Sequence, residues 1–546
     1  IELFRKHMIC KVIALTVCLT FVWQSIGPTG EARGQDAEAL LSTEIKLPAR
    51  FGEVVDLFKG NLNKTIIHIR DAHCDYSAQN SISGIIGYFR DTYSVDLVAL
   101  EGGSGDYDLS VFTDIKDVEL REKVADYFVR QGEVSGAEFY AINNPEKVTL
   151  YGIEESALYV ENLKAYRDSL KFKDKALVIL KSMAEKISKQ KDRTYPSDFR
   201  ELDKKMRFFK EDKIGFEEYA AAIAAYAEKN NIDMSEYPNV TRFYDVMDHE
   251  NGINMKEAER ESNILIDLLN KRLSKKYLEE LVAKTVEFND GNMPVEEYYA
   301  YLLSKAELCG VDLDKMRNLL KYAKTAKKTK TVNKKALEKE FKALEEKIYA
   351  SFLKTDEERA LCVLDKKIFI LDMLFSVGLV KDDWDYYIAH RNDFQTKEFV
   401  SLNGYRLDME KFYDLSLKRD DGFINNIAGK LKKEKQKNII LVTGGFHQDN
   451  LKTLFQDKGY SYVEVLPKME KQDGKNPYFQ LLSGGADPIM RAVSERQSSL
   501  QIASYLSTEL KVQDKEAFRS AVKIVEQLIA EGRSEPIAGR VFSLSP

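Results

Sequence analysis

Cysteine and histidine are scarce in this chain, and their scarcity narrows the kinds of site that it can hold. The 546 residues contain five cysteines and six histidines. Two cysteines lie close to the N-terminus, and the other three, Cys74, Cys309 and Cys362, are widely spaced. Three distant cysteines form neither a disulfide framework nor a zinc motif. Cys74 follows His73 directly, so we interpret it as a small buried hydrophobe, with a reactive thiol as the alternative.

A basic charge excess is also missing. The net charge is −6 and the sequence pI is about 5.8, so nothing in the overall charge indicates a nucleic-acid partner. The segment from Lys321 to Glu340 is basic at its start, which is typical of a solvated helix face or an exposed loop. Hydrophobic residues make up 44% and charged residues 31%, as expected of a soluble globular protein. At 62.6 kDa the chain predicts two or three domains or a large insertion.

The N-terminal segment has the pattern of an export signal. Basic residues flank the apolar run Val12–Trp23, and small and turn-forming residues follow it. The run is short for a membrane span, which needs about 20 residues. We therefore expect an exported protein whose residues 1–32 are a signal peptide or an uncleaved anchor, the only expected contact with a membrane. Because the chain begins with isoleucine, we expect either a fragment or a true start at Met8.

The remaining chain changes its pattern twice. Residues 33–156 are the predicted first part of an α/β core. Residues 33–62 have the pattern of a linker and a short helix, and the strand and helix patterns that alternate after them predict a parallel or mostly parallel sheet with crossover helices. Residues 157–430 are charged and helical throughout, so we expect a helical insertion or cap. The strand pattern returns in residues 431–484, the predicted second part of the core. Residues 485–546 predict a C-terminal helical extension.

Two of the six histidines directly follow strand-like apolar runs near opposite ends of the chain. His73 lies in TIIHIRDAHCD, two residues after Asp71, and His447 lies in NIILVTGGFHQ. Glu101 follows the run VDLVAL in the same way. Because ligands of open α/β sheets bind beyond the carboxyl ends of the strands, these side chains are expected to meet at one site.

A third acidic element repeats the pattern, and each element also has a structural interpretation. Glu154 and Glu155 follow the run VTLYGI. An acidic residue after a strand is often the N-cap of the next helix, and a Gly-Gly pair is often a tight turn. His249 and His390, in the helical block, are interpreted as ordinary helix-surface residues. Histidines with carboxylates suit either a metal ion or general acid–base chemistry.

These motifs resemble the superfamily that holds the Tiki and TraB proteins, the haem-uptake protein ChaN and the erythromycin esterases. Arg70-Asp71-Ala72-His73 is similar to the ChaN form of the first motif, and Glu101 matches the second. Arg419 and Asp420 in KRDDGF match the Arg-Asp helix, and TGGFH supplies the final Gly-x-x-His that ends in His447. The matched blocks cover about 150 residues. Arg70 and Asp71 replace the usual Gly-Glu of this motif. The replacement affects the expected catalytic activity more than the expected fold.

The resemblance implies a hydrolase of amide or ester bonds acting on a small-molecule or peptide substrate. The implied catalytic residues are His73, His447, Glu101 and Arg419, with Arg419 stabilising an oxyanion. The implied ligands of a divalent metal are Asp71, His73, Glu101 and His447. Glu154, Glu155 and Asp420 would lie next to these catalytic and metal-binding residues and orient them. Arg419 has an alternative as a surface salt bridge with a neighbouring aspartate. A haem- or ligand-binding protein and a degenerate, non-catalytic interaction protein are the competing hypotheses.

Overall fold

The computed structural model of the chain describes residue 45 and residues 47–469, apart from residues 131, 211 and 212. The predicted signal segment, residues 1–32, and the predicted C-terminal helical extension, residues 485–546, lie outside the described residues.

The described residues form an α/β fold that is mostly helical and contains one seven-stranded mixed sheet. The strands are β1 (Gly52–Phe58), β2 (Thr65–Asp71), β3 (Leu97–Leu100), β4 (Ser104–Asp106), β5 (Thr149–Ile153), β6 (Asn438–Gly444) and β7 (Ser461–Pro467). The helices up to β5 are α1 (Tyr76–Tyr93), α2 (Ser110–Thr113), α3 (Val118–Arg130) and α4 (Gly136–Asn143). Between β5 and β6 lie α5 (Ser156–Thr194), α6 (Ser197–Lys210), α7 (Phe216–Lys229), α8 (Pro238–Asn251), α9 (Met255–Arg272), α10 (Lys275–Asn289), α11 (Val295–Leu308), α12 (Arg317–Thr329), α13 (Lys334–Phe352), α14 (Asp356–Ser376), α15 (Lys381–Ala389) and α16 (Asn403–Lys433), and α17 (Gly445–Asp457) joins β6 to β7.

The sheet has the strand order β1-β7-β2-β6-β3-β5-β4. The five inner strands pair in parallel, and the two edge strands, β1 and β4, pair antiparallel with their neighbours. In the β2–β6 pair Asp71 lies opposite Gly444, so the two strands end at the same level. This register brings the residues that follow β2 and β6 to one edge of the sheet.

The inner strands are buried on both faces, which explains their nearly continuous apolar sequences. One face packs against α1, where Ile67 and Ile440 meet Ile85 and Phe89 in one core cluster. The opposite face packs against α16 and α17 through a second cluster, to which Phe423, Ile427, Leu451 and Phe455 contribute. The sheet is therefore covered by helices from both ends of the chain.

The edge strand β1 departs from the sequence-based expectation. We expect a linker and a short helix in residues 33–62, whereas Gly52–Phe58 forms a strand that is antiparallel to β7. Its side chains are only half buried or exposed, and Glu53 and Asp56 interrupt its apolar residues. An edge strand tolerates such charges, which hide the alternating pattern of a buried strand.

The chain divides into two compact units by the density of its contacts. One contains residues 183–366 with residues 48–50, and the other contains residues 51–182 and everything described from residue 367 onward. The first unit is helical and has its own apolar clusters, one of which includes Leu265, Tyr298 and Leu319. The second unit contains the whole sheet, together with α16 and most of α5.

Across residues 45–469, with the gaps given above, no helix is long and apolar enough to cross a membrane.

Candidate functional site

Four strand ends bring charged side chains to one edge of the sheet. Asp71 is the last residue of β2, and His73 follows it by two positions. Glu101 directly follows β3, and Glu154 directly follows β5. His447 lies in the first turn of α17, which begins immediately after β6. Because these strands are parallel neighbours, side chains far apart in sequence come together here.

Glu101 is the centre of the cluster. Its Oε1 accepts a hydrogen bond from Arg419 Nη2 at 2.8 Å and lies 3.3 Å from His447 Nε2. Its Oε2 accepts the backbone N–H of Gly444 at 2.7 Å and lies 3.9 Å from His73 Nε2. Burial alone would raise the pKa of this carboxyl, but the charges of His447 and Arg419 hold it well below its usual range. Glu101 is therefore a buried carboxylate that faces both histidines.

His73 is held from behind by a carboxylate. Its Nδ1 lies 2.7 Å from Asp71 Oδ2, and Gln79 Nε2 donates to the other Asp71 oxygen at 2.7 Å. Gln79 is fixed in turn by the backbone N–H of Gly136. Burial opposes the charged imidazole, yet the charge and hydrogen bond of Asp71, with the charge of Glu101, raise the pKa of His73 to about 9. Its side chain remains 27% exposed, so Nε2 is the nitrogen that can meet a substrate.

His447 repeats this arrangement more deeply in the protein. Its Nδ1 lies 2.5 Å from Asp420 Oδ1, and Asn450 Nδ2 donates to the other oxygen of Asp420 at 2.6 Å. Although burial lowers the pKa of His447, the charges of Glu101 and Asp420 raise it to about 9. Its side chain is only 5% exposed. His447 therefore serves as a cationic partner of Glu101 more readily than as a group that meets a substrate.

Arg419 is buried and does not form the surface salt bridge that was the alternative for it. Its side chain is 7% exposed and donates to Glu101, to both oxygens of Glu154 and to Asn162 Oδ1. Four of its five N–H groups are thus used within the described part of the chain, which leaves one on Nη1. Its structural effect is to hold Glu101 and Glu154 in place.

The three residues expected behind the site are not equivalent. Glu154 is buried, pairs with Arg419 and accepts the N–H of Gly102 at 3.1 Å. Asp420 is buried and orients His447. Glu155, in contrast, is exposed, and its side chain lies against Gly422 of α16. The structure does not bring Glu155 to the cluster, because successive side chains of an extended chain point in opposite directions.

A cavity of about 140 Å³ adjoins the cluster. The charged residues Asp71, His73, Glu101 and Arg419 line it, as do residues of α5 and Phe412 of α16. Cys74 also lines it, half buried, with Sγ 3.6 Å from the carbonyl oxygen of Gly132. His447 does not line it, which agrees with its deeper position.

Several residues of this site give little signal in the sequence. Gln79, one turn into α1, is the exception, because it follows Arg70-Asp71-Ala72-His73 in the ChaN-like form of the first motif. Asn450 lies three residues after His447 on the same face of α17, so spacing alone could have suggested it. Asn162 and Tyr159 lie in α5, within the charged helical block, where no motif marks them. His249 and His390 lie elsewhere, and each bonds to the carbonyl oxygen four residues earlier, as helix-surface histidines do.

The donor set in this arrangement does not suit a divalent cation. Among the described residues, no group of three or more His, Cys, Asp or Glu is placed to hold a metal ion. Asp71 faces Nδ1 of His73, away from Nε2, and both of its oxygens accept hydrogen bonds. The guanidinium of Arg419, 2.8 Å from Glu101, places a positive charge where the cation would bind.

The cavity is small for a ligand of the size of haem. Sites for ligands of drug size enclose about 300–1,000 Å³, and this cavity has about 140 Å³. Both nitrogens of His447 face carboxylates, so that imidazole offers no lone pair to iron.

Gly444 allows the close approach of His73 to Glu101. A Cβ on this residue would lie 2.8 Å from His73 Nε2 and 3.5 Å from Glu101 Oε2. We expect Gly444→Ala to displace the imidazole and to lower kcat/KM for the hydrolysis proposed below by about 10²-fold, as misplacements near 1 Å can do. The backbone at Gly444 has φ −63°, which alanine adopts, so the fold should persist.

Gly445→Ala is the matched control, because a Cβ there would meet nothing within 4 Å. The comparison requires kcat/KM for both variants and a circular dichroism spectrum of each. Equal activity of the two variants would show that His73 does not need its observed position.

Comparisons with protein-family models, with curated proteins and with solved structures found no match to this chain.

Proposed function

We propose that the protein hydrolyses ester or amide bonds by general acid–base catalysis, with His73 as the group that activates water. The observation that carries this proposal is the Asp71–His73 pair at the cavity. Asp71 fixes Nδ1 of the imidazole, and Nε2 faces the cavity side of the cluster beside Glu101. An aspartate that orients a histidine in this way fixes its tautomer and stabilises the imidazolium that forms during reaction.

The attacking water is proposed to lie between His73 and Glu101. Their facing atoms, Nε2 and Oε2, are 3.9 Å apart, too far for a direct hydrogen bond but suited to a bridging water. The water oxygen attacks the carbonyl carbon while His73 Nε2 takes its proton. The tetrahedral intermediate then collapses, the C–O or C–N bond breaks, and the imidazolium returns the proton to the leaving alcohol or amine.

The remaining charged residues are proposed to keep Glu101 ionised and in place. Arg419 and His447 contribute two cations against Glu101 Oε1, and Gly444 donates to Oε2. The one N–H on Arg419 Nη1 that is left over is proposed to stabilise the oxyanion of the intermediate. In this scheme Glu154 and Asp420 position Arg419 and His447, and neither touches the substrate.

We also propose the larger framework that the sequence predicts. The assignment to the Tiki, TraB, ChaN and erythromycin esterase superfamily is supported by the motif order, and β6 pairing with β2 and β3 supports helical residues inserted into one α/β domain. Export is supported by the pattern of residues 1–32 alone. Each of these remains a proposal that is separate from the chemistry.

The pH dependence of ester hydrolysis tests the role of His73. The base form is required, and the raised pKa of His73, about 9, means that the imidazole is protonated at neutral pH. We therefore expect kcat/KM for a 4-nitrophenyl ester to rise about tenfold per pH unit up to about pH 9 and then to level off, because kcat/KM reports the free enzyme.

Asp71→Asn is the matched variant for this profile. It removes the charge that raises the pKa of His73, so the rising limb should move to lower pH while the plateau falls. A profile that is flat from pH 6 to 8 in the wild type, or a limb that Asp71→Asn leaves in place, would contradict His73 as the base. Absence of turnover with every ester and amide would favour a binding function.

A further inference from the structure

The lining of the cavity beside His73 limits which substrate groups can bind there. The inference drawn from it rests on the hydrolysis proposed above. Its lining from α5 consists of Tyr159, Asn162, Leu163 and Tyr166. These residues follow the spacing i, i+3, i+4, i+7, so one face of a single helix forms this wall. A wall on a regular helix is rigid, and its shape is set by side-chain size.

The wall is aromatic and aliphatic where α5 meets α16. Tyr166 is 1% exposed and Leu163 is 4% exposed. The rings of Tyr166 and Phe412 pack with their centroids 5.7 Å apart. Val134 and Val442 add aliphatic surface to the same cavity. An uncharged hydrocarbon group therefore gains contacts here that a charged group does not.

The charged lining residues disfavour an anionic group. Asp71, Glu101 and Glu138 contribute three carboxylates, and His73 and Arg419 contribute two cations. Arg419 is already engaged by Glu101, Glu154 and Asn162. A substrate carboxylate would meet net negative charge and almost no available donor.

The volume sets the size of the group. The cavity has about 140 Å³, and an apolar protein cavity of about 150 Å³ accommodates benzene. We propose that the cavity is an acyl-binding subsite for neutral esters or amides whose acyl group is no larger than about a benzoyl group, with Leu163, Tyr166 and Phe412 setting the limit.

Steady-state kinetics with 4-nitrophenyl acetate, butyrate, benzoate and 2-naphthoate test this proposal, since only the acyl group changes. We expect kcat/KM to increase about tenfold or more from acetate to benzoate, because each buried methylene contributes about fourfold. We expect it to fall at least tenfold from benzoate to 2-naphthoate, which exceeds the volume.

Enlarging the cavity should raise the size limit for the acyl group. Leu163→Ala is expected to raise the ratio of kcat/KM for 2-naphthoate over benzoate at least tenfold, and Phe412→Leu serves the same purpose at a half-buried position. Val160→Ala is the matched control, because Val160 lies on the same helix but is 43% exposed and does not line the cavity. It should leave the ratio unchanged.

The outcomes separate this proposal from the hydrolysis on which it rests. Turnover with no size limit, or a ratio that both enlarging variants leave unchanged, overturns the subsite and leaves the hydrolase standing. If no ester is cleaved, the hydrolysis fails, and calorimetric titration with benzamide and 2-naphthamide then decides the subsite. Binding of benzamide alone supports it, and binding of both or of neither overturns it.

Discussion

Glu101→Gln is expected to lower the free energy of unfolding by about 3–5 kcal/mol, the usual loss when one member of a buried ion pair is removed. Glu101 is 11% exposed and lies between Arg419 and His447, which are 7% and 5% exposed. Glutamine keeps the shape but removes the charge, so two buried cations lose a partner. Urea unfolding at about pH 6, followed by circular dichroism, measures the difference.

The pH dependence of this loss follows from the direction of the pKa shifts. The pKa of Glu101 is lowered from 4.5, so its stabilisation is present above pH 4.5 and is lost as the pH falls through the lower, folded value. The pKa of His447 is raised from 6.5 to about 9, so its stabilisation is complete below pH 6.5 and disappears as the pH rises through 9. The difference between wild type and variant should therefore be largest between about pH 4.5 and 6.5.

Glu155→Gln is the control for this experiment. It makes the same substitution in an exposed glutamate next to Glu154, where surface changes stay within about 0.5 kcal/mol. If Glu101→Gln lowers the free energy of unfolding by less than about 1 kcal/mol, Arg419 and His447 do not need the charge of Glu101 to remain buried.

His73→Ala is expected to lower kcat/KM for ester hydrolysis by about 10²–10⁴-fold, the usual contribution of a general base. The charged imidazole pairs with Asp71 and Glu101, and this stabilisation is lost as the pH rises through the raised pKa of about 9. Above that pH the substitution should leave the unfolding transition close to that of the wild type, because the side chain is 27% exposed. Rates above about pH 9, where most of the wild-type base is deprotonated, give the largest difference.

His249→Ala is the matched control for that loss. His249 lies on α8 in the other compact unit, where its ring contacts the carbonyl oxygen of Asp245 and the side chain of Lys328. It should retain wild-type activity. If His73→Ala is as active as His249→Ala, another residue is the base or the reaction takes place outside this cavity.

The sequence predicts the backbone positions of the site better than the contacts of its side chains. Apolar runs that end in His73, Glu101 and His447 mark the strand ends, since a strand buried on both faces needs such runs. Asp71 is expected beside the other ligands of a metal, but it lies behind His73, with Oδ2 2.7 Å from Nδ1. Such orientation depends on side-chain rotamers, which local sequence does not fix.

Burial and charge balance were the least predictable features. Arg419 looked equally compatible with a surface salt bridge, and only the folded chain shows it enclosed by Glu101, Glu154 and Asn162. The raised pKa of His447 arises from Glu101 and Asp420, and Glu101 from another strand adds to the effect of the nearby Asp71 on the pKa of His73. The divalent cation stays a prediction of the sequence, and this charge arrangement does not favour it.

The position of β2 in the sheet has a consequence for synthesis of the chain. Within the described residues both neighbours of β2 are late strands, β6 and β7, and the bonded pair His68 and Thr443 is separated by 375 positions. At 5–20 residues per second, a ribosome needs roughly 20–75 s to make the intervening chain. During that time the apolar strand Thr65–Asp71 has two unpaired edges, which are templates for aggregation. A nascent chain of this protein should therefore depend on chaperones until residue 467 has emerged.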